Sequence, residues 1–364
     1  MKNKAKIKLC IVTRGLVHGG EKKFIFRLLK EFAYRKQFDL YVLADHNYFA
    51  FSLPIEPSHI LVIEGSGKLT FDYLKSYLTL SKLKADVIIY PKNFIPLSHF
   101  LLPGRKINII HDLAFFMTSF KSHSKVFAWL RQRAIKASCR WADHVVAVSE
   151  HTRKEIVRLL EVDRKKVTVC HEAVTLDSVK PSGLLDDSEP YFFCPTTMSP
   201  RKNIVRIIDA FEQTQSKTGH KLYIAGHFEV KKSHLIQRIA KNPNIKVLGY
   251  VTEGDMVAMY QHATALLYPS LYEGFGLPLL EAQLLGCAVI TSRMSSCPEV
   301  AGKGAHYIDP YNTQELMDAM LLVSRDASYR NKLTHLGSEN IKRFDWRTTA
   351  DIIERVIHSF KAKK

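Results

Sequence analysis

Short apolar runs alternate with longer amphipathic segments along the whole chain, and this alternation limits the fold more than any other feature. Most runs are rich in Val, Ile and Leu without polar alternation, as expected for parallel strands covered on both faces. The longer segments carry apolar residues at helical spacing, so the pattern predicts an α/β fold with doubly wound parallel sheets. We expect strands at residues 7–12, 40–43, 87–90, 107–110, 145–148, 222–225, 265–268 and 288–291, and helices at 150–160, 203–211 and 315–323.

The length of 364 residues indicates two domains, because a single hydrophobic core rarely grows beyond about 250–300 residues. Residues 172–191 lack periodicity and contain Pro, Gly and Asp, so the boundary is predicted there. We expect one Rossmann-like domain at 1–175 and a second at 176–345. The amphipathic segment 346–364 either covers the second domain or crosses back to the first.

The net charge is +18, and nearly all of it lies in the first half of the chain. Residues 1–170 hold 30 Lys and Arg against 14 Asp and Glu, whereas residues 171–364 carry only +2. Such an asymmetry indicates a polyanionic partner for the basic half, which includes nucleic acid, an anionic membrane and an acidic acceptor.

Residues 113–140 combine this positive charge with aromatic side chains. No Asp or Glu lies between Asp112 and Asp143, and the stretch contains six Lys or Arg and five Phe or Trp. One interpretation is a surface that docks on anionic lipid headgroups. The other is an apolar stripe that faces the core, with a solvated basic face.

Cysteine usage and hydropathy indicate the compartment. The six cysteines form no CxxC pair, and no segment reaches the roughly 18 apolar residues of a membrane span. Disulfides are not expected in so large and Cys-poor a chain, and Arg14 interrupts the short apolar stretch near the N-terminus, unlike a signal peptide. We therefore expect a cytoplasmic protein, and peripheral association with the cytoplasmic face of the membrane is one of the options for its basic half.

The most informative motif is Tyr-Glu-Gly-Phe-Gly-Leu-Pro-Leu-Leu-Glu at residues 272–281, shortly after a predicted strand. Pro278 suits the start of a helix, so Gly-Phe-Gly becomes a loop at a helix N-terminus, where N–H groups and the helix dipole favour a diphosphate. Glu273 precedes this loop and Glu281 is expected in the first helical turn. At the carboxyl end of a sheet, both carboxylates can accept hydrogen bonds from sugar hydroxyls. Alternatively, Glu281 only complements the helix dipole.

Three other positions follow predicted strands. Arg201 and Lys202 precede a predicted helix, and a cationic pair there indicates an anion site. Gly19 and Gly20 open a helix after the first strand, and His111 ends another strand, so each is placed to touch a ligand. Each also has an ordinary interpretation as an exposed loop, a turn or a hydrogen-bonded core residue. DxD, Walker A and HExxH sequences are absent, so the sequence has no DxD clamp for a metal and a diphosphate.

Together these residues resemble glycosyltransferase family 4, the retaining nucleotide-sugar transferases with the GT-B fold. Residues 273–281 are similar to the E-x7-E signature of that family, and residues 200–203 to its phosphate-binding segment. Residues 111–113 and 143–150 are similar to landmarks of its first domain. The match runs in the right order over most of the chain, and residues 35–100 match only loosely.

The resemblance implies two Rossmann-like domains that face each other across a cleft, with the nucleotide sugar bound mainly to the second domain. It also implies that segment 346–364 crosses back to the first domain. The implied roles are diphosphate binding by Arg201 and Lys202, ribose binding by Glu281, binding of the transferred sugar by Glu273 and the backbone of Phe275, Gly276 and Leu277, closure over the phosphates by Gly19 and Gly20, and a contact near the reacting carbon by His111.

The implied reaction is transfer of a sugar, with retention and without cofactor or metal, from a nucleotide-sugar donor to a membrane-associated glycan or glycolipid acceptor. The setting is bacterial lipopolysaccharide, capsule or other surface polysaccharide synthesis, with the basic N-terminal domain at the anionic inner membrane surface. Two departures are Thr196, where the family often has Gly, and His171-Glu172, where Asn-Gly is common. The alternatives are a GT-B relative such as a nucleotide-sugar epimerase, and a non-catalytic basic binder of glycan or nucleic acid. No recognised nucleic-acid motif is present, so no specific nucleic acid is expected.

Overall fold

The computed structural model describes residues 5–13, 20–46, 53–63, 74–117, 125–175, 189–197, 199–226 and 234–360. Contacts within the chain divide it into two units, residues 1–173 with 344–364 and residues 174–343. Each unit contains one parallel sheet with helices between successive strands. The predicted α/β fold with two doubly wound sheets is therefore confirmed.

The first unit is built on a seven-stranded parallel sheet. Its strands are β1 (Ile7–Val12), β2 (Phe38–Ala44), β3 (Ile60–Val62), β4 (Val87–Tyr90), β5 (Arg105–Ile110), β6 (His144–Ala147) and β7 (Val167–Val169). Its helices are α1 (Gly20–Ala33), α2 (Ser76–Leu83), α3 (Lys125–Trp141), α4 (Glu150–Leu160) and, from the end of the chain, α12 (Trp346–Ser359). The strand order is β3-β2-β1-β4-β5-β6-β7, so the direction of winding reverses between β1 and β4.

Helix α1 shows why the apolar spacing predicts these elements. Phe24, Leu28 and Phe32 recur every four residues and are fully buried, whereas the Lys and Arg side chains between them are not buried. Burial of each such side chain stabilises the fold by about 1.5–3 kcal/mol. This apolar stripe therefore belongs to the core of the first unit.

Helix α12 packs against α1 within the first unit. The rings of Trp346 and Phe24 meet edge to face, with 5.6 Å between their centroids. At the other end of α1, Arg35 donates to Asp351 at 2.6 Å and also to Glu354. Helix α12 is thus fixed to α1 by both an apolar contact and a charged cluster.

The second unit is built on a six-stranded parallel sheet. Its strands are β8 (Tyr191–Pro195), β9 (Lys221–Ala225), β10 (Ile245–Gly249), β11 (Ala265–Tyr268), β12 (Val289–Ser292) and β13 (His306–Ile308). Its helices are α5 (Ile204–Thr218), α6 (His234–Lys241), α7 (Glu253–His262), α8 (Leu277–Leu284), α9 (Cys297–Ala301), α10 (Thr313–Arg325) and α11 (Ala327–Asn340). The strand order β10-β9-β8-β11-β12-β13 reverses between β8 and β11.

Several elements are longer than the apolar runs that predicted them. Strand β2 begins at Phe38 rather than at residue 40, because Phe38 and Asp39 pair in register with the first residues of β1. Helix α5 continues to Thr218, where Gly219 ends it in the left-handed conformation with φ of +67°. Partner strands and cap residues therefore set element ends that apolar runs do not show.

The residue that departs from the family pattern at the end of β8 lies against a glycine of the neighbouring strand. Thr196 N donates to the carbonyl of Ala225 at 2.8 Å. A Cβ atom on Gly226 would lie 1.7 Å from the carbonyl oxygen of Thr196, and Gly226 has φ of +141°. Gly226 therefore permits the close backbone approach at this point of the sheet.

Candidate functional site

The loops that follow β8 and β11 meet at the point where the strand order of the second sheet reverses. At such a point the connections after the two neighbouring strands lead to opposite sides of the sheet, which opens a crevice at the carboxyl ends of the strands. Arg201 and Lys202 lie on a short 3-10 turn after β8, and Glu273 lies in the loop after β11. Leu271 N donates to the carbonyl of Arg201 at 2.8 Å and joins the two loops. The predicted cationic pair and the predicted carboxylate are thus neighbours.

The carboxylate of Glu273 lies between the two cations. Arg201 Nη1 donates to Oε2 at 2.8 Å, and Lys202 Nζ donates to Oε1 at 2.7 Å. Lys202 Nζ also donates to the hydroxyl of Tyr268 at 2.7 Å. The side chain of Glu273 is 7% exposed, against 13% for Lys202 and 24% for Arg201. This cluster of two cations and one anion has a surplus positive charge that reaches solvent, which suits an anionic ligand.

The protonation states of the cluster follow from these contacts. Burial raises the pKa of Glu273, but the charges of Lys202 and Arg201 outweigh burial and hold the pKa below its usual value. Glu273 is therefore an ionised acceptor at neutral pH. Burial, together with the charge of Glu273, raises the pKa of Tyr268 well above its usual value, so its phenol stays protonated.

The loop that carries Glu273 is held in place by two serines after β12. Glu273 N donates to Ser295 Oγ at 3.0 Å. Ser296 Oγ, which is buried, donates to the carbonyls of Glu273 at 3.0 Å and Phe275 at 2.7 Å. The serine contacts therefore hold the loop in addition to the ion pairs of Glu273 with Arg201 and Lys202.

Helix α8 begins directly after the glycine loop. Gly276 precedes it with φ of +110°, and a Cβ atom there would lie 3.1 Å from Leu279 Cδ1, so the position favours glycine. Phe275 and Leu277 are buried, at 4% and 9% exposed. The first turn of α8 contains Pro278, which has no N–H group, and Leu279 N donates to the carbonyl of Gly276 at 3.0 Å. The positive end of the helix dipole, directly after the glycine loop, favours an anion at this point.

Glu281 lies one residue further into α8 than the motif predicts. The helix begins at Leu277, which places Glu281 in the second turn rather than the first. Its Oε2 accepts a hydrogen bond from the hydroxyl of buried Tyr260 on α7 at 3.0 Å. The expected role in complementing the N-terminal dipole is weakened, because that effect falls off within the first turn.

In the first unit, His111 follows β5 and is 8% exposed. Nδ1 lies 2.8 Å from Oε1 of Glu172, and Nε2 lies 3.0 Å from the carbonyl oxygen of Pro91. The amide of His111 donates to Asn93 Oδ1 at 2.7 Å.

Gly20 is the first residue of α1, and Gly19 lies outside the described residues.

Sequence reasoning did not find Glu172 or Tyr268 as partners of the predicted site residues. Glu172 lies 61 positions from His111 in a segment without periodicity, so no spacing connects the two. Tyr268 ends a fully buried strand and is indistinguishable from a core residue by pattern. The sequence signal that pointed to Glu172 was its departure from the family pattern, because His171-Glu172 stands where Asn-Gly is common.

Two absences concern only the described part of the chain. Within it, His, Cys, Asp and Glu side chains nowhere gather in a group of three or more that could hold a metal ion. None of its helices combines the length and the apolar character needed to cross a membrane.

Two family models together match almost the whole chain. The model for Glycosyltransferase Family 4 matches residues 18–178, and the model for Glycosyl transferases group 1 matches residues 177–340. The chain belongs to glycosyltransferase family 4. The resemblance inferred from the motifs is therefore confirmed.

This glycosyltransferase has curated relatives among bacterial mannosyltransferases. It is 29% identical over 275 residues to O-antigen chain mannosyltransferase B of Escherichia coli, covering 72% of this chain and 71% of the relative. It is 26% identical over 342 residues to the serotype-specific mannosyltransferase WbdA of Escherichia coli, covering 85% of this chain. The match spans 41% of the length of WbdA, about two fifths of that protein.

A solved structure supports the fold. HepE of Anabaena, determined in complex with UDP-glucose, has a TM-score of 0.77 and 17% sequence identity to this chain. The alignment covers 97% of this chain and 100% of HepE. The predicted GT-B fold is thereby confirmed.

Proposed function

We propose that this glycosyltransferase moves a sugar from a nucleoside diphosphate sugar to a membrane-associated glycan or glycolipid, with retention of anomeric configuration and without a metal. The proposed setting is synthesis of a bacterial surface polysaccharide such as lipopolysaccharide or capsule. The observation that carries the proposal is the cluster of Arg201, Lys202 and Glu273 beside the glycine loop. The mannosyltransferase relatives make a nucleoside diphosphate mannose the first donor to test.

The cluster and the helix start offer two kinds of group that bind a diphosphate. Arg201 can donate as a planar fork and Lys202 as a compact point charge. The N–H groups of the first turn of α8 add a partial positive charge. A diphosphate with two or more negative charges is attracted to the surplus positive charge of the cluster. This attraction is stronger than in bulk water, because the side chains of Arg201 and Lys202 are partly sheltered from solvent.

The chemistry proposed for these groups is stabilisation of the leaving diphosphate. As the bond between the anomeric carbon and the phosphate oxygen breaks, negative charge develops on the diphosphate, and donors already fixed in place stabilise that charge. Glu273 keeps both cations ordered and can accept hydrogen bonds from hydroxyls of the transferred sugar. We retain the implied roles of Glu281 toward the ribose and of Gly19 and Gly20 toward the phosphates as proposals.

A transfer assay tests this function. The folded protein is incubated with a panel of nucleotide sugars, a lipid-linked glycan acceptor and EDTA, and the anomeric configuration of the product is determined by NMR. We expect turnover of one donor, with retention, and a loss of roughly 10²–10³-fold in kcat for Lys202→Met. No turnover of any donor, an inverted product or complete inhibition by EDTA would contradict the proposal.

The proposed route to a membrane acceptor is one face of α3, defined by Val126, Trp129, Leu130 and Arg133. The three apolar side chains are 50–68% exposed, a high value for large hydrophobic residues. The guanidinium of Arg133 lies 4.4 Å from the ring centroid of Trp129, so charge and aromatic surface lie side by side. Such a face favours an anionic lipid surface, because apolar anchors enter the interface and cations pair with headgroups.

Co-sedimentation with liposomes tests this face. We expect the wild-type protein to pellet with vesicles that contain phosphatidylglycerol and not with neutral vesicles, and the bound fraction to fall with added salt. Substitution of both Trp129 and Leu130 by Ser should abolish pelleting. Tyr250→Ser, at a residue 77% exposed on the second unit, is the control and should leave pelleting unchanged. Equal recovery of the wild type with neutral and anionic vesicles would overturn this part of the proposal.

A further inference from the structure

The imidazole of His111 is fixed on both nitrogens by groups of the protein. Glu172 Oε1 lies 2.8 Å from Nδ1, and the carbonyl oxygen of Pro91 lies 3.0 Å from Nε2. The ring of Phe24 meets the imidazole edge to face, with 4.9 Å between the centroids. His111 and Glu172 are 8% and 5% exposed, so neither contact is a surface encounter.

The chemistry of these two partners determines where protons lie on the ring. A carbonyl oxygen only accepts, so the contact with Pro91 requires a hydrogen on Nε2. An ionised carboxylate also only accepts, so the contact with Glu172 requires a hydrogen on Nδ1. Neutral imidazole carries one N–H and cannot satisfy both contacts, whereas the imidazolium cation can.

The local charges favour the cation. Burial lowers the pKa of His111, but the hydrogen bond and the charge of Glu172 outweigh burial, and the pKa lies above its usual value. The charge of Glu21 on α1 and the carbonyl of Pro91 act in the same direction. Other charged groups nearby are Lys92, 3.6 Å from Glu21, Asp112, next to His111 in the chain, and Arg131, which interacts with both of those acidic residues.

Glu172 is in turn held by helix α12, which belongs to the same unit. Thr349 Oγ1 donates to the carbonyl of His171 at 2.8 Å, and Cys170 Sγ donates to the carbonyl of Thr349 at 3.2 Å. These two bonds hold the two residues that directly precede Glu172 in the sequence. The carboxylate therefore sits on a rigid backbone and not on a loosely held turn.

We propose that Glu172 is a positioning residue that holds His111 as an imidazolium cation, so that His111 serves as an N–H donor and not as a base during sugar transfer. The inference rests on the proposed function and on the contact near the reacting carbon that the family resemblance implies for His111. Nδ1–H keeps its hydrogen bond to Glu172. Nε2–H can donate to an oxygen of the substrate, which then replaces the carbonyl oxygen of Pro91 as the acceptor. A cationic donor suits a reaction that develops negative charge on its leaving group.

NMR of protein with ¹⁵N-labelled histidine tests the charge state without any need for activity. The signals of His111 are identified by their loss in His111→Gln. We expect both ring nitrogens to be protonated at pH 7 in the wild type, and the pKa of His111 to fall in Glu172→Gln by at least about one unit. A neutral His111 at pH 7 in the wild type, with the proton of the pair on Glu172, would overturn the proposal even if transfer is observed.

The pH dependence of kcat/KM tests the role in transfer. Because activity needs the cation, the basic limb should move to lower pH in Glu172→Gln, and Glu172→Asp should restore part of the shift. Glu155→Gln, at a buried carboxylate on α4, is the control and should leave the limb in place. An unmoved limb in Glu172→Gln would refute the assignment. If no nucleotide sugar is turned over, the proposed function fails, but the NMR result still decides the charge state of His111. If Glu172→Gln does not fold, the spectra of the wild type and of Glu172→Asp still decide that charge state.

Discussion

Replacement of Glu273 by Gln removes the negative charge that lies between Arg201 and Lys202. The substitution keeps the size and shape of the side chain and leaves an amide oxygen that can accept from one of the cations. It removes the charge that both cations face at 2.7–2.8 Å. The variant therefore isolates the electrostatic part of the cluster.

The expected cost follows from burial. Removal of one partner from a buried ion pair typically costs about 3–5 kcal/mol, because the remaining charge has lost its solvation. Lys202 and Arg201 are 13% and 24% exposed, so water can reach them and the cost should fall to about 2–3 kcal/mol. For a unit of this size, the melting temperature should fall by roughly 4–12 °C.

The loss should also depend on pH. Because the folded-state pKa of Glu273 is lowered, its stabilisation is fully present above the unfolded-state pKa of about 4.3 and disappears as pH falls through the folded value. Urea denaturation at pH 7 and at successively lower pH measures this difference. Glu339→Gln, at an exposed pair with Lys342, is the control and should leave the denaturation midpoint almost unchanged, because water screens such a pair. A Glu273→Gln variant as stable as the wild type at pH 7 would refute the electrostatic argument.

Two further substitutions test the packing of each unit. Gly226→Ala should destabilise the second unit by at least about 3 kcal/mol, because its Cβ would collide with the carbonyl of Thr196. The control Gly219→Ala has open space around its Cβ and should cost about 1–2 kcal/mol, from its left-handed backbone alone. Comparable denaturation midpoints for the two variants would contradict this. Arg35→Met should lower the stability of the first unit by about 1–3 kcal/mol, because it leaves two acidic residues of α12 without their cation, and hydrogen exchange of α12 should accelerate. Unchanged exchange would show that the cluster does not fix α12.

The sheets were predictable from the sequence because their strands are buried on both faces. Apolar runs such as residues 7–12, which Lys8 alone interrupts, 87–90 and 265–268 match β1, β4 and β11 in full. Loops at the carboxyl ends of neighbouring parallel strands must lie near each other, so the succession of strands also brought Lys202 toward Glu273. Local pattern and chain topology were sufficient for these features.

The side-chain partners within the site could not be predicted, because they depend on register and rotamer rather than on spacing. The contact of His111 with Glu172 joins the end of β5 to the segment after β7, and no periodicity connects them. The contact of Glu281 with Tyr260 depends on where α8 starts, and the start at Leu277 moved Glu281 into the second turn. One residue of helix boundary therefore changed the interpretation of a motif position.

The central claim is that Lys202 and Arg201 bind the diphosphate of the donor, and calorimetry tests it most directly. Affinities of GDP and GMP, and of UDP and UMP, are compared between the wild type, Lys202→Met and the control Lys217→Met, which removes an exposed lysine on α5. A hydrogen bond to a charged group is worth about 1.5–3 kcal/mol, so the wild type and the control should prefer the diphosphate by roughly 10–150-fold. In Lys202→Met that preference should fall to about threefold or less. An undiminished preference in Lys202→Met would contradict the account.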